Sequence, residues 1–289
     1  MTIKHLVLSG GGPIMIQILG AIQELERNKY FNVHEIESIY GTSAGAVIGI
    51  MISLQFEWET LNDYIIKRPW HDVFTVKVQH ILDAYSKRGI FDYSTIQKCF
   101  KPLFDAKNIS LDITMEEFYQ LTKKDIHLYT FEVNEYKLED ISHTTHPSLP
   151  LLTAVQMTCA IPVLISPIMI GEKCYMDGGV ACNYPLQCCI ESGKSVDEII
   201  GFKNYYIDDT SNAYVNTQSS LLDYLLYFLF KAVFNINAKY IQPVITNEVL
   251  LNTSRMSYES LKQSISNIEV RKELFEKGKQ CAIHYLREK

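Results

Sequence analysis

The sequence predicts an α/β fold, a layered sheet with parallel neighbouring strands, and three observations carry that expectation. The apolar run Ile3–Leu8 leads into Gly10-Gly11-Gly12, after which apolar residues recur at helical spacing. A second run, Glu35–Tyr40, ends at Gly41 and is followed by a largely apolar helix over Ala44–Leu54. Further strand-like runs recur after residue 120. Strands alternating with helices imply parallel pairing, because parallel neighbours need a crossover and a helix supplies it.

Each element has its own local reason. Pro13 suits a first helical turn, where its missing N–H costs nothing. Ile14, Ile18, Ala21, Ile22 and Leu25 then form an apolar face, and Glu26–Lys29 is a polar end. Residues 56–123, with Trp58 and Trp70, read as a variable insertion of helices and loops. Asp125–Val133 alternates as a strand does, and Asn134-Glu135 begins a turn before Tyr136–Ile141. Leu151–Met157 is a short helix ahead of Pro162, and Lys173–Met176 a short strand running into Asp177-Gly178-Gly179. Pro185–Ser192 is a helix stopped by Gly193, and Glu198–Ile207 is a strand. From Ser219 onward the pattern is helical, and Val270, Leu274, Cys281, Tyr285 and Leu286 mark one face of a last helix. The expected organisation is a core over 1–200, with 201–289 supplying a final strand and a helical segment packed on the same domain.

The 289 residues are 47% hydrophobic and 21% charged, enough apolar material for a sizeable core. The net charge of −6 argues against a nucleic-acid partner, which needs a basic face to displace phosphate counterions. Seven cysteines, an odd number without a CxxC pair, read as reduced thiols. The run His5–Leu8 is too short for a signal segment. The longest apolar stretch, Leu221–Phe234, contains Asp223 and Lys231 and falls short of the ~20 residues that span a bilayer. These features predict an intracellular, cytoplasmic protein. For Leu221–Phe234 a buried core helix is the preferred reading, with peripheral contact to a membrane as the other.

Three segments carry chemistry. Gly10-Gly11-Gly12 lies between a strand and a helix, where backbone N–H groups and the helix end can hold an anion; the plainer reading is a tight turn. A dinucleotide fingerprint fails at Met15, and no Gly-Lys-Ser/Thr follows to make a phosphate-binding loop. Gly41-Thr42-Ser43-Ala44-Gly45 is a GxSxG between a strand and a helix, the setting of a nucleophile elbow, against the plainer reading of Ser43 as a helix N-cap. A serine needs a base. Of eight histidines only His284 follows the third segment, and it sits on the terminal helix; none makes a convincing triad member. Asp177, at a strand end beside Gly178 and Gly179, offers another base, or a turn aspartate capping its own backbone. No HExxH, EF-hand loop or zinc spacing occurs, so no metal is expected.

Taken in order, these segments resemble the patatin-like phospholipase family of serine lipid acyl hydrolases. The matching pieces are LVLSGGG…IQILGAIQELE (Leu6–Glu26), GTSAG (Gly41–Gly45), the segment from Ala154 to Pro167 with Cys159-Ala160-Ile161-Pro162, and YMDGGVACNYP (Tyr175–Pro185). The resemblance covers roughly 3–55 and 124–190. It implies a three-layer α/β/α fold with a mixed, mainly parallel sheet, extended here by C-terminal helices. It also implies a Ser43–Asp177 dyad without histidine and an oxyanion hole from the amides of Gly11 and Gly12. Gly10, Gly41, Gly45, Gly178 and Gly179 would support the motifs. The implied reaction is hydrolysis of acyl-lipid esters without a cofactor. Ile14 and Met15 stand where the family places a basic residue and a glycine, a change expected to alter the loop shape, weaken an anion contact or lower activity. A lipid-binding protein that has lost turnover, or a Ser-His-Asp esterase, are the alternatives.

Overall fold

β1 (His5–Leu8) and β2 (Ser38–Thr42) are buried throughout and pair in parallel, joined by helix α1 (Ile14–Arg27). The computed structural model describes residues 2–206, 215–237, 242–254 and 257–289. The other strands among them are β3 (Gly89–Phe91), β4 (Asp125–Glu132), β5 (Lys137–Ile141), β6 (Val163–Ile165), β7 (Ile168–Ile170), β8 (Lys173–Asp177), β9 (Ile199–Tyr206) and β10 (Glu248–Thr253). The main sheet has the order β10-β9-β1-β2-β4-β8-β7, and β5 also pairs β4. The five strands from β10 to β4 are parallel, while β5, β8 and β7 are antiparallel to their neighbours. This is the mixed, mainly parallel sheet expected.

Alternation along the strands sorts side chains to two faces. Leu6, Leu8, Ile39, Leu128, Ile200 and Phe202 enter the larger core with α1, the helix α2 (Ala44–Ser53), and the helices Leu151–Cys159 and Ile268–Glu288. Val7, Tyr40, Tyr129 and Ile199 point the other way, onto Tyr184, Leu186 and Cys189. Burial on both faces explains why these strands read as continuous apolar runs.

Several expectations need correction. β2 begins at Ser38, after a 3-10 turn over Val33–Glu35, and runs through Gly41 to Thr42. The insertion at 56–123 contains β3, which pairs in parallel with β6. The C-terminal part is not all helical: β10 extends the sheet beside β9 and lies under the Ile268–Glu288 helix. Leu221–Asn237 is a helix, but among its described side chains only Leu226 is fully buried, while Leu221, Tyr224, Leu225 and Phe228 are exposed, so the core-helix reading fails. Ile207 and the side chain of Phe234 lie outside the described residues. Among those described, no helix is long and apolar enough to cross a membrane.

Candidate active site

Ser43 follows β2, and Asp177 ends β8, so their meeting is a matter of how β4 uses its edges. β5 pairs Leu128–Glu132. A strand has only two edges, so β2, at Asp125–Tyr129, and β8, at Thr130–Glu132, must share the other. They approach along it from opposite directions. Thr42 stands opposite Tyr129 and Asp177 opposite the next residue, Thr130, so the C-terminal ends of β2 and β8 abut.

Ser43 has φ +52 and ψ −123, a conformation that L-residues rarely adopt and that costs about 1–3 kcal/mol. The surroundings hold it there. Its N–H donates to Thr158 Oγ1 at 2.9 Å, and Thr158 donates on to the carbonyl of Tyr129 at 2.5 Å. The Gly45 position is pressed so closely against the carbonyls of Leu8 and Ser9 that a Cβ would collide with them, and at Gly41 a Cβ would meet the Ala46 backbone. The Ser43 side chain makes no cap hydrogen bond, so it is not a plain N-cap serine.

Asp177 is 6% exposed and Ser43 7%. Burial pushes the Asp177 carboxyl up to about 6, against the opposing effect of hydrogen bonds from Ser43 and the Gly179 amide. The Gly179 bond, 2.7 Å to Oδ1, is the turn-capping contact expected of a plain turn aspartate, and Asp177 makes it while also meeting Ser43. Cys159 lies beside both. Burial, then the Asp177 charge, holds its thiol well above its ordinary range, with a Ser43 hydrogen bond opposing.

The glycine loop borders the same corner. A Cβ on Gly10 would sit 3.2 Å from Ser43 Cβ. Gly10 N–H donates to the Asn183 carbonyl, and its own carbonyl accepts from Asn183 Nδ2 and Asn204 Nδ2. Gly11 (φ +142) and Gly12 (φ +60) occupy backbone regions that favour glycine. Their carbonyls accept from Ile14 and Met15, while their N–H groups make no hydrogen bond among the described residues. A cavity of about 260 Å³ opens beside Gly11, lined by Ile14, Asn204 and the buried Gln17, whose Oε1 has no partner among the described residues. Thr158 and Asn183 lie inside segments that carry the family resemblance, which assigns neither a role, and Asn204 carries no sequence signal.

Histidine does not join this corner. None of the histidine contacts among the described residues reaches Ser43 or Asp177. His284 is exposed and pairs with Glu288 at 3.3 Å. His127 lies further back on β4, stacked on Tyr40 at 4.3 Å, hydrogen-bonded to Asp140 at 2.7 Å and within ion-pair distance of Asp125 at 3.2 Å. Burial would lower its pKa, but the two carboxylates outweigh that and push it up to about 9. Among the described residues, no group of His, Cys, Asp and Glu could hold a metal ion.

The site is an α/β sheet with an uncapped, positive-φ serine at a strand-to-helix turn, beside a buried aspartate. The chain belongs to the patatin-like phospholipase family, whose model matches residues 6–189. It is 26% identical over 190 residues to "Probable lipid hydrolase 463L" of Invertebrate iridescent virus 6, covering 65% of this chain and 63% of the relative. It is also 26% identical over 197 residues to "Uncharacterized protein YqhO" of Bacillus subtilis, covering 62% and 64%. These matches thus span less than two thirds of the relatives' length. Among solved structures, VipD from Legionella pneumophila shares the fold, with a TM-score of 0.59 at 18% identity over 99% of this chain and 67% of that one.

Proposed function

We propose that the protein is a lipid acyl hydrolase of the phospholipase A type, working through a Ser43–Asp177 dyad and an acyl-enzyme. The observation that carries this reading is the buried contact between an elbow serine and a carboxylate whose pKa burial has raised to about 6. Such a carboxylate is ionised at neutral pH yet basic enough to take a proton in the transition state.

Ser43 Oγ attacks the ester carbonyl carbon as its proton passes to Asp177. The carbonyl oxygen becomes an oxyanion that the Gly11 and Gly12 amides, which make no hydrogen bond among the described residues, would hold; one lost donor typically costs about 3–4 kcal/mol. Collapse expels the lysolipid alkoxide, which takes the proton from Asp177. Water then gives a proton to Asp177 and attacks the acyl-enzyme, releasing fatty acid and returning the proton to Ser43. The protein's own groups supply every step, so hydrolysis survives EDTA and needs no added calcium; activity lost to chelator and restored by calcium would reject the scheme.

We read 1–200 as the catalytic core, 56–123 as its variable insertion, and 201–289 as a strand-and-helix segment on the same domain. The Leu221–Asn237 helix, which lies against the Gly178–Val180 turn, would touch lipid.

The dyad is tested by three variants whose folding is checked by circular dichroism. Ser43→Ala abolishes hydrolysis of a soluble short-chain ester. Asp177→Asn loses about 10²–10⁴-fold, the usual worth of general-base assistance. His284→Ala keeps most of the rate. An inactive His284→Ala beside an active Asp177→Asn would show the base to be misassigned.

A further inference from the structure

The Val78–Lys87 helix is an unusual object for a folded protein, because none of its residues is buried. Its apolar side chains are nevertheless arranged in order. Val78, Ile81, Leu82 and Tyr85 recur at the i, i+3, i+4, i+7 spacing that normally faces a core, and here they are 75%, 59%, 66% and 96% exposed. Single exposed apolar residues are ordinary; a complete stripe along one helix face marks an interaction surface.

Two further observations say what covers it. The first is charge. Lys77, Lys87 and Arg88 flank the stripe against the single carboxylate of Asp83 within residues 77–88, in a chain whose net charge is −6. Lys87 is paired to Asp83 and Asp92, but Lys77 and Arg88 make no ion pair among the described residues. An apolar stripe edged by cations, with little net hydrophobicity, is the composition of helices that lie in a bilayer interface.

The second is position. The helix runs into β3, whose Gly89 and Phe91 pair with Val163 and Ile165 of β6. Three residues before β6, the Ala160 carbonyl accepts the Asp177 N–H at 3.1 Å. Arg88 lies close enough to Cys174 of β8 to lower its thiol pKa, though burial outweighs this and raises it. Cys174 pairs with Met169 of β7, and Met169 and Ile170 are themselves exposed. The stripe is thus tied through a short sheet to the strand that ends in Asp177.

We propose that the Val78–Lys87 helix is an anchor for an anionic lipid surface, set so that docking brings the Ser43–Asp177 corner to the acyl esters of that surface. The proposal rests on the lipid hydrolase reading, but its central measurement does not use turnover. The aliphatic stripe enters the acyl boundary, and Lys77 and Arg88 meet the anionic headgroups.

The test is flotation of the full chain with phosphatidylcholine vesicles, with and without phosphatidylserine. Ser43→Ala serves as the background, so that binding is read without hydrolysis. The Ile81→Ser/Tyr85→Ser double variant, altered only at side chains already exposed, should bind about tenfold or more weakly to the anionic vesicles. Lys77→Gln/Arg88→Gln should lose the preference for phosphatidylserine. On the Ser43 background restored, all variants should hydrolyse a soluble short-chain ester at the parent rate.

Three results would overturn the anchor: the parent ignores both vesicle types, the double variant binds as the parent does, or gel filtration shows the stripe buried between two copies, with the double variant dissociating a dimer and vesicle binding unchanged. A chain that binds vesicles through the stripe but cleaves no ester would instead leave the anchor standing and sink the hydrolase reading.

Discussion

Asp177 carries a stability cost that follows from the same burial that raises its pKa. Its folded-state pKa, about 6, lies above its ordinary value of 3.8. The protonated form is therefore favoured by folding. The cost is absent below about pH 4 and grows as pH rises through the folded value, reaching on the order of 1–3 kcal/mol above it. Asp177→Asn should thus raise the melting temperature near pH 8 while lowering activity by about 10²–10⁴-fold, and should change stability little near pH 4; an equal effect on stability at both pH values would refute the assignment. On the proposed mechanism, in which the Asp177 carboxylate takes the Ser43 proton, kcat/KM on a soluble ester should climb with pH through about 6 and level off above about 7. Ser43 and Asp177 were legible as residues because each sits in a local glycine-bearing motif. Thr158 and Asn204 were not, since their bonds to Ser43 and Gly10 span 115 and 194 positions and leave no local pattern.

The Leu221–Asn237 helix shows how an element can be read correctly as a helix and wrongly as to its surroundings. An apolar helix reads as buried. Here the helix leaves Leu221, Tyr224 and Phe228 at half or more of full exposure. Phe228→Ser should therefore change stability by no more than about 0.5 kcal/mol, as surface substitutions do. It should also weaken binding to vesicles, with the short-chain ester rate kept. A large loss of melting temperature would return the helix to the core. β10 was missed for a different reason. No glycine punctuates it as Gly10–Gly12 punctuate β1, so its apolar run is not told from a helix turn, and pairing with β9 decided the outcome. β1, α1 and α2 were legible because glycines punctuate them and their apolar spacing is long enough to be unambiguous.

At the scale of the molecule, the C-terminal residues complete the core. The Ile268–Glu288 helix packs along α1 so closely that a Cβ on Gly278 would collide with the Gln17 backbone, and one on Gly20 with that of Phe275. Backbone cannot rotate away as a side chain does. Gly278→Val should cost about 1–3 kcal/mol or more, as overpacking does, and should lower the stability of the whole chain in a single transition measured by urea unfolding. A second, separate transition would mean that the C-terminal segment folds apart from the sheet. The same helix carries Arg271, buried and bonded to the carbonyls of Ile66, Arg68, Ser264 and Ile265, so it also ties the insertion to the core.

The order of strands and helices through residue 55, the glycine loop, the GxSxG turn and the Asp-Gly-Gly turn were all determined by the sequence alone. The physical reason is that each depends on neighbours within a few positions: φ freedom at glycine, helical or strand period, and the end of an apolar run. Only the tertiary structure decided that β2 and β8 end against each other on one edge of β4, because that depends on β5 occupying the opposite edge. It alone decided the burial that lifts the Asp177 pKa, and which apolar helices remain facing outward. Burial and edge choice are properties of how segments far apart in the chain share space, and no local spacing encodes them.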